Sequence, residues 1–237
     1  MVTAPLNVES AWKGLYRLSG AVCVIFLLYS LMTMALVLTI GGQPHSVRDI
    51  FAMLQENRLV GLLRLDVLTM IVLPTYYLLF LGICVALKTT DAASAAIAAL
   101  LALAGLTLVL STPSVTSFLS LSDRFAVATS EAQRAELLAA GEAILVSDMW
   151  HSSSSLVGGL LMQTGTLLMS ILMLRSSVFG RATAWTGVIA HGLDLVHILA
   201  GLVVPTAGVA LMAVAGTLYL VWFPLLARDF FRLGRKP

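Results

Sequence analysis

Charge is what this sequence has least of. Asp, Glu, Lys and Arg make up 11% of its 237 residues, against about 25% in soluble domains. So thin a supply cannot coat a water-facing surface, and most of the exterior is expected to meet lipid. The complementary figures agree: 59% of residues are hydrophobic and the mean hydropathy is +0.97. No Lys/Arg-rich run and no nucleic-acid motif occurs, which excludes nucleic acid as a partner. A phosphate-binding loop, a nucleophile elbow and a kinase signature are also missing. Cysteine is scarce, with only Cys23 and Cys84. Both lie near the ends of their apolar runs expected to face inward and read as reduced, buried small side chains rather than a disulfide. No strong internal repeat is visible, so nothing in the sequence supports an inverted-repeat architecture.

What the chain does have is long apolar runs. A helix needs roughly 20 residues to cross a bilayer. Six runs qualify: 18–40, 67–87, 92–112, 149–174, 182–204 and 206–227. The fourth is longer than required, so its first residues are expected to lie above the hydrocarbon. The first follows Lys13 and Arg17 as a signal peptide would, but its core exceeds the 7–15 residues of a signal segment. It reads as a retained helix. The expected fold is therefore all-α: a polytopic membrane helix bundle forming a single integral membrane domain over residues 1–237, with the lipid bilayer as its partner.

Orientation follows from the basic residues. With the N-terminus in the cytoplasm, the inner segments hold Lys13, Arg17, Lys88, Arg175, Arg181, Arg228, Arg232, Arg235 and Lys236, against Glu9, Asp91 and Asp229. The outer segments hold five basic residues and eight acidic ones, Asp49 through Asp148. An even number of spans returns the C-terminus to the cytoplasm, and the expected location is the cell (inner) membrane. Trp12, Trp185 and Trp222 fall at the inner boundary and Trp150 at the outer one, as an aromatic belt requires.

The inner connections are short and the outer ones, about 41–66 and 113–148, are long. Long loops usually carry structure or function. Ser46-Val-Arg-Asp49 reads as a capping box, followed by an apolar stripe of Ile50, Phe51, Leu54 and Leu59. Ser130-Glu-Ala-Gln133 repeats the device ahead of Ala132, Ala135, Leu138, Ala139 and Glu142. Two extracytoplasmic amphipathic helices are expected there, lying on the membrane or covering the bundle. The third run is rich in Ala, and the fourth carries Gly158, Gly159 and Gly165. Such faces let membrane helices approach closely. Pro74 should kink the second run.

Three segments carry a resemblance: RFAVATSEAQRAELLAAGEAIL (Arg124–Leu145), LMLRSSVFGRATAWTGVIA (Leu172–Ala190) and FPLLARDFFRLGR (Phe223–Arg235). Together they resemble a widespread prokaryotic family of uncharacterised multi-helix membrane proteins, one of the domain-of-unknown-function families. The resemblance is clearest over residues 124–235. It implies an integral protein of the cell membrane and brings no catalytic residues with it.

The fifth run holds the sequence AHGLDLVHIL, Ala190–Leu199. Ionisable groups at membrane depth are costly and face the bundle rather than lipid. His191, Asp194 and His197 recur at steps of three, winding over about one third of the helix circumference. The fourth run opens with SDMWHSSSS, placing Asp148 and His151 three apart ahead of hydroxyls at Ser152–Ser155. Asp66 enters from the outer end of the second run and His45 from the first outer loop. An outward-facing cluster of Asp194, His197, His191, His151, Asp148 and Asp66 is expected to be the site.

Four chemistries fit such a cluster. It can lock helix packing through polar pairs. It can bind or conduct a small solute or protons, because imidazole titrates near neutrality. It can hold zinc through His151, Asp194 and His197 and hydrolyse a lipid. Membrane hydrolases of the alkaline-ceramidase and progestin-receptor-like group use a similar His/Asp/Ser set. The present chain departs from them in having histidines six apart in HGLDLVH and six runs rather than seven. Finally, the protein can be a structural or sensory scaffold. Among the functional readings, a solute or proton site around Asp194, His197 and His151 is the leading expectation.

Overall fold

The computed structural model describes residues 8–235 apart from Pro113 and Trp150. Trp150 and Lys236, given boundary positions from the sequence, lie outside the described residues, as does the side chain of Glu9. The described residues form helices and turns, with no strand among them. Among the described residues, four helical stretches are long and apolar enough to cross a membrane: Trp12–Ile40, Val67–Ala126, Ser153–Arg175 and Thr206–Arg235.

The helices are α1 (Val8–Ile40), α2 (Val47–Glu56), α3 (Arg58–Arg64), α4 (Val67–Val72), α5 (Tyr76–Leu110), α6 (Val115–Ala126), α7 (Glu131–Leu145), α8 (Ser153–Arg175), α9 (Arg181–Gly201) and α10 (Pro205–Arg235). Pro74 does interrupt its run: α4 ends before it, a 3-10 turn spans Leu73–Thr75, and α5 starts afresh. A proline lacks the N–H that a continuous helix needs. Within α5 the backbone leaves helical geometry at Asp91 (φ −159°, ψ 100°). Asp91 takes the Ser94 amide at 3.0 Å and its hydroxyl at 2.6 Å, so it caps the following helix. α8 starts at Ser153, within the fourth run.

The chain gathers into two compact units. The first comprises Met1–Ser30, Thr75–Leu106 and Gly159–Pro237. Its centre is aromatic. Phe26 of α1 packs on Tyr76 of α5 (ring centroids 3.8 Å apart) and on Phe223 of α10 (5.3 Å). The Ala-rich stretch behaves as its composition requires. Ala98 and Ala102 are fully buried. A Cβ on Gly165 of α8 would stand 2.5 Å from the Ala98 carbonyl oxygen and 2.6 Å from the Ala102 nitrogen. Only a glycine lets these two backbones come so close.

Asp229 of α10 fixes the turn into α9. Its carboxylate is fully buried. It accepts the Gly180 amide at 2.9 Å and the Thr183 hydroxyl at 2.6 Å. These are groups of the first turn of α9, where a negative charge is favoured. At the other end of the same helix pair, a Cβ on Gly208 would meet the Gly201 Cα at 2.8 Å. Trp222 is 1% exposed and packs against His191 and Phe223, whereas Trp185 is 55% exposed. Both cysteines are free; Cys23 is buried and Cys84 half-buried.

The second unit comprises Leu31–Pro74 and Thr107–Gly158. It corrects the expectation of two loop helices: the long connections hold four, α2, α3, α6 and α7. Their apolar faces close on one another. Val47, Ile50, Phe51 and Leu54 of α2 meet Val115, Phe118 and Leu121 of α6, Leu137 of α7, and Leu65. Both capping serines act as the spacing requires. Ser46 accepts the Asp49 amide at 3.1 Å, and Ser130 accepts the Gln133 amide at 3.2 Å. The stripes need two corrections. Leu59 is 67% exposed, because α2 ends at Glu56 and α3 turns it outward. On α7 the buried positions are Leu137 and Gly141, whereas Ala132, Ala135, Ala139 and Glu142 are exposed. Alanines give so little apolar contrast that the single leucine at 137 decides which way α7 faces.

Candidate functional site

In the first unit, α8, α9 and α10 each contribute to one polar cluster. Asp194 of α9 is its hub. Its Oδ2 accepts the Tyr219 hydroxyl at 2.6 Å and the Gln163 amide at 2.9 Å. Gln163 then offers its Oε1 to His191 Nδ1 at 2.8 Å. With its NH2 committed to a carboxylate, Gln163 can only accept there, so His191 carries its proton on Nδ1. Tyr219 Oη lies 3.0 Å from the same nitrogen. One amide and one phenol thus connect an acid and an imidazole that stand three residues apart on one helix.

The neutral tautomer of His191 leaves Nε2 as an acceptor. That atom is buried with no hydrogen-bond partner. The His191 ring meets Trp222 edge-on at 4.8 Å between centroids. His191 is therefore fixed from one side by hydrogen bonds and from the other by an aromatic wall. Gly187, one turn earlier, admits both Ser170 and Trp222; a Cβ there would stand 2.5 Å from the Ser170 hydroxyl and 2.7 Å from the Trp222 nitrogen.

The other side of Asp194 is open. Its Oδ1 faces His197 Nδ1 at 3.7 Å, beyond hydrogen-bond reach. His197 Nδ1 has no hydrogen-bond partner either. The two side chains are 14% and 27% exposed, so neither is sealed. An acid oxygen and an imidazole nitrogen face each other across a gap that neither closes. A proton, a water or a small cation fits that arrangement chemically.

His151 and Asp148 form a second pair, in the second unit. Asp148 Oδ1 accepts His151 Nδ1 at 2.8 Å and the His151 amide at 3.0 Å. The carboxylate is fully buried while the imidazole is 55% exposed. Ser152 caps α8 by accepting the Ser155 amide at 3.1 Å, and its hydroxyl also donates to Ser155 at 3.0 Å. Thr112 lies 3.4 Å from the Ser152 hydroxyl. These serines bond to one another and to the helix start, not to Asp194. Asp66 precedes α4 with φ 62° and ψ 38° and does not cap it with its side chain. It is the one non-glycine residue in the left-handed region among the described residues.

The sequence-derived set therefore falls in two parts: His191, Asp194 and His197 in the first unit, and Asp66, Asp148 and His151 in the second. Among the described residues, no group of three or more His, Cys, Asp or Glu is placed to hold a metal ion. The partners that define the Asp194 cluster, Gln163 and Tyr219, are missing from the sequence-derived set. A signal for one existed: Gln163 is the only carboxamide in α8, and such a group inside an apolar helix needs a polar partner. No protein-family model, no curated protein and no solved structure matches the chain.

Proposed function

We propose that the chain is a multi-pass integral protein of the cell membrane that takes up a proton or a small cation between Asp194 and His197. The half-satisfied carboxylate carries this reading. One oxygen of Asp194 is held by Tyr219 and Gln163, while the other faces an unpartnered imidazole nitrogen at 3.7 Å. A carboxylate serving only to lock helices would gain by bonding through both oxygens. Ionisable residues inside apolar helices typically mark ion or proton paths.

Six spans with both ends cytoplasmic complete the proposal. α5 counts 35 residues, and as one straight helix it would extend about 52 Å. A bilayer with its headgroups is about 40–45 Å thick. The break at Asp91 therefore divides two crossings. α9 adds the crossing that carries the site; its 21 residues suffice. The excess of Lys and Arg in segments 88–91, 175–181 and 228–236 supports the orientation.

The test is flux in sealed vesicles. Purified protein is reconstituted in liposomes with a pH-sensitive dye inside, and a potassium diffusion potential is imposed. Wild type is expected to acidify or alkalinise the lumen, Asp194→Asn to abolish the signal, and His197→Ala to slow it at least tenfold. Replacing the outer sodium or potassium separates a proton from a metal cation. Wild-type flux retained by Asp194→Asn refutes the assignment. No flux in correctly folded wild type does so as well, and leaves a packing role for the cluster.

A further inference from the structure

A second imidazole site, independent of Asp194, lies in the second unit. A groove of about 510 Å³ there is lined by Gln43, Pro44, His45, Leu145, Val146 and His151. Two histidines from sequence-distant segments line the same groove. His45 sits in the turn before α2, and His151 in the turn before α8.

His151 is prepared for one kind of chemistry. The buried Asp148 carboxylate takes its Nδ1–H at 2.8 Å and its main-chain amide at 3.0 Å into the same oxygen. The double bond fixes both the ring's tautomer and its orientation. Nδ1 holds the proton, so Nε2 presents a lone pair. Metal-binding histidines are characteristically held in this way. The imidazole itself is 55% exposed, so the lone pair is reachable. His45 is exposed on the lining of the same groove and brings a second nitrogen. The remaining walls, Gln43, Pro44, Leu145 and Val146, carry no charge.

We propose that His45 and His151 bind one divalent first-row metal ion, with Asp148 as the positioning residue for His151. Two neutral imidazoles suit copper(II), nickel(II) and zinc(II), and disfavour magnesium and calcium, which require oxygen. Two protein ligands leave coordination positions for water or an exchangeable ligand. The site is therefore one of capture or delivery rather than a closed structural centre.

The experiment uses tag-free protein in detergent, titrated separately with copper(II) and zinc(II) by calorimetry, with copper paramagnetic resonance to count nitrogen ligands. One ion per chain and a two-nitrogen copper signal are expected. His45→Ala and His151→Ala should each weaken binding at least tenfold, and Asp148→Asn by about 10–100-fold. Asp194→Asn should leave binding unchanged, which separates this site from the one proposed for flux. His45 is exposed in a turn, so its removal tests the site without threatening the fold. Absence of stoichiometric binding, or affinity unaltered by His45→Ala, overturns the proposal. So does binding lost equally in Asp194→Asn.

Discussion

Tyr219 and Asp194 are joined by a 2.6 Å hydrogen bond between α10 and α9, and Tyr219 stacks on Phe223, whose ring in turn packs on Phe26 of α1. The phenol therefore ties the polar cluster to the aromatic centre of its unit. Tyr219→Phe keeps the ring and removes the donor. The expected loss is about 1 kcal/mol, as for other interhelical hydrogen bonds between apolar helices. Unfolding in detergent, run as a double-mutant cycle with Asp194→Asn, measures it. Additive losses would mean that the bond contributes nothing.

Glycine positions give a pair of substitutions with opposite signs. Gly165→Ala pushes a methyl into the Ala98 and Ala102 backbone, and main chain cannot swing aside. Overpacking of this kind costs about 1–3 kcal/mol. Gly192→Ala meets nothing within 4 Å and should gain up to about 1 kcal/mol of helix propensity. Melting temperatures of the two variants check this. Equal shifts would refute the close approach of α8 to α5.

The second unit has a core of its own, and Phe51 is fully buried in it. Phe51→Ala should cost about 3–5 kcal/mol. The loss should appear as proteolytic cleavage within α2, α6 and α7, which wild type is expected to resist. If cleavage is unchanged, these helices do not fold as one lobe.

How far this was legible in the sequence depends on range. The serine caps at Ser46 and Ser130 are decided within four residues, so spacing alone locates them. The Pro74 break is a property of one residue. The facing of α7 was not legible, because Ala132, Ala135 and Ala139 resemble a core stripe yet contribute little when buried. α6 was hidden for a related reason: serines and an aspartate interrupt its apolar residues, and its burial depends on α2. The partners of Asp194 were out of reach on the same ground. Gln163 is 31 residues away and Tyr219 is 25, and no local pattern selects among the polar groups of three helices.

Orientation has its own measurement. After Cys23 and Cys84 are replaced by Ala, a cysteine at Glu131, exposed on α7, should react with an impermeant thiol reagent added to intact cells. A cysteine at exposed Ser177, in the turn between α8 and α9, should react only after permeabilisation. The opposite pattern would invert the proposed topology.

The two ends of the α9–α10 pair are both fastened, by the Asp229 cap on Gly180 and Thr183 and by the backbone contact of Gly208 with Gly201. Asp194 and Tyr219 sit between those fastenings, so the α9–α10 face of the cluster is pinned at both ends, and Gln163 is the side chain that ties it to α8.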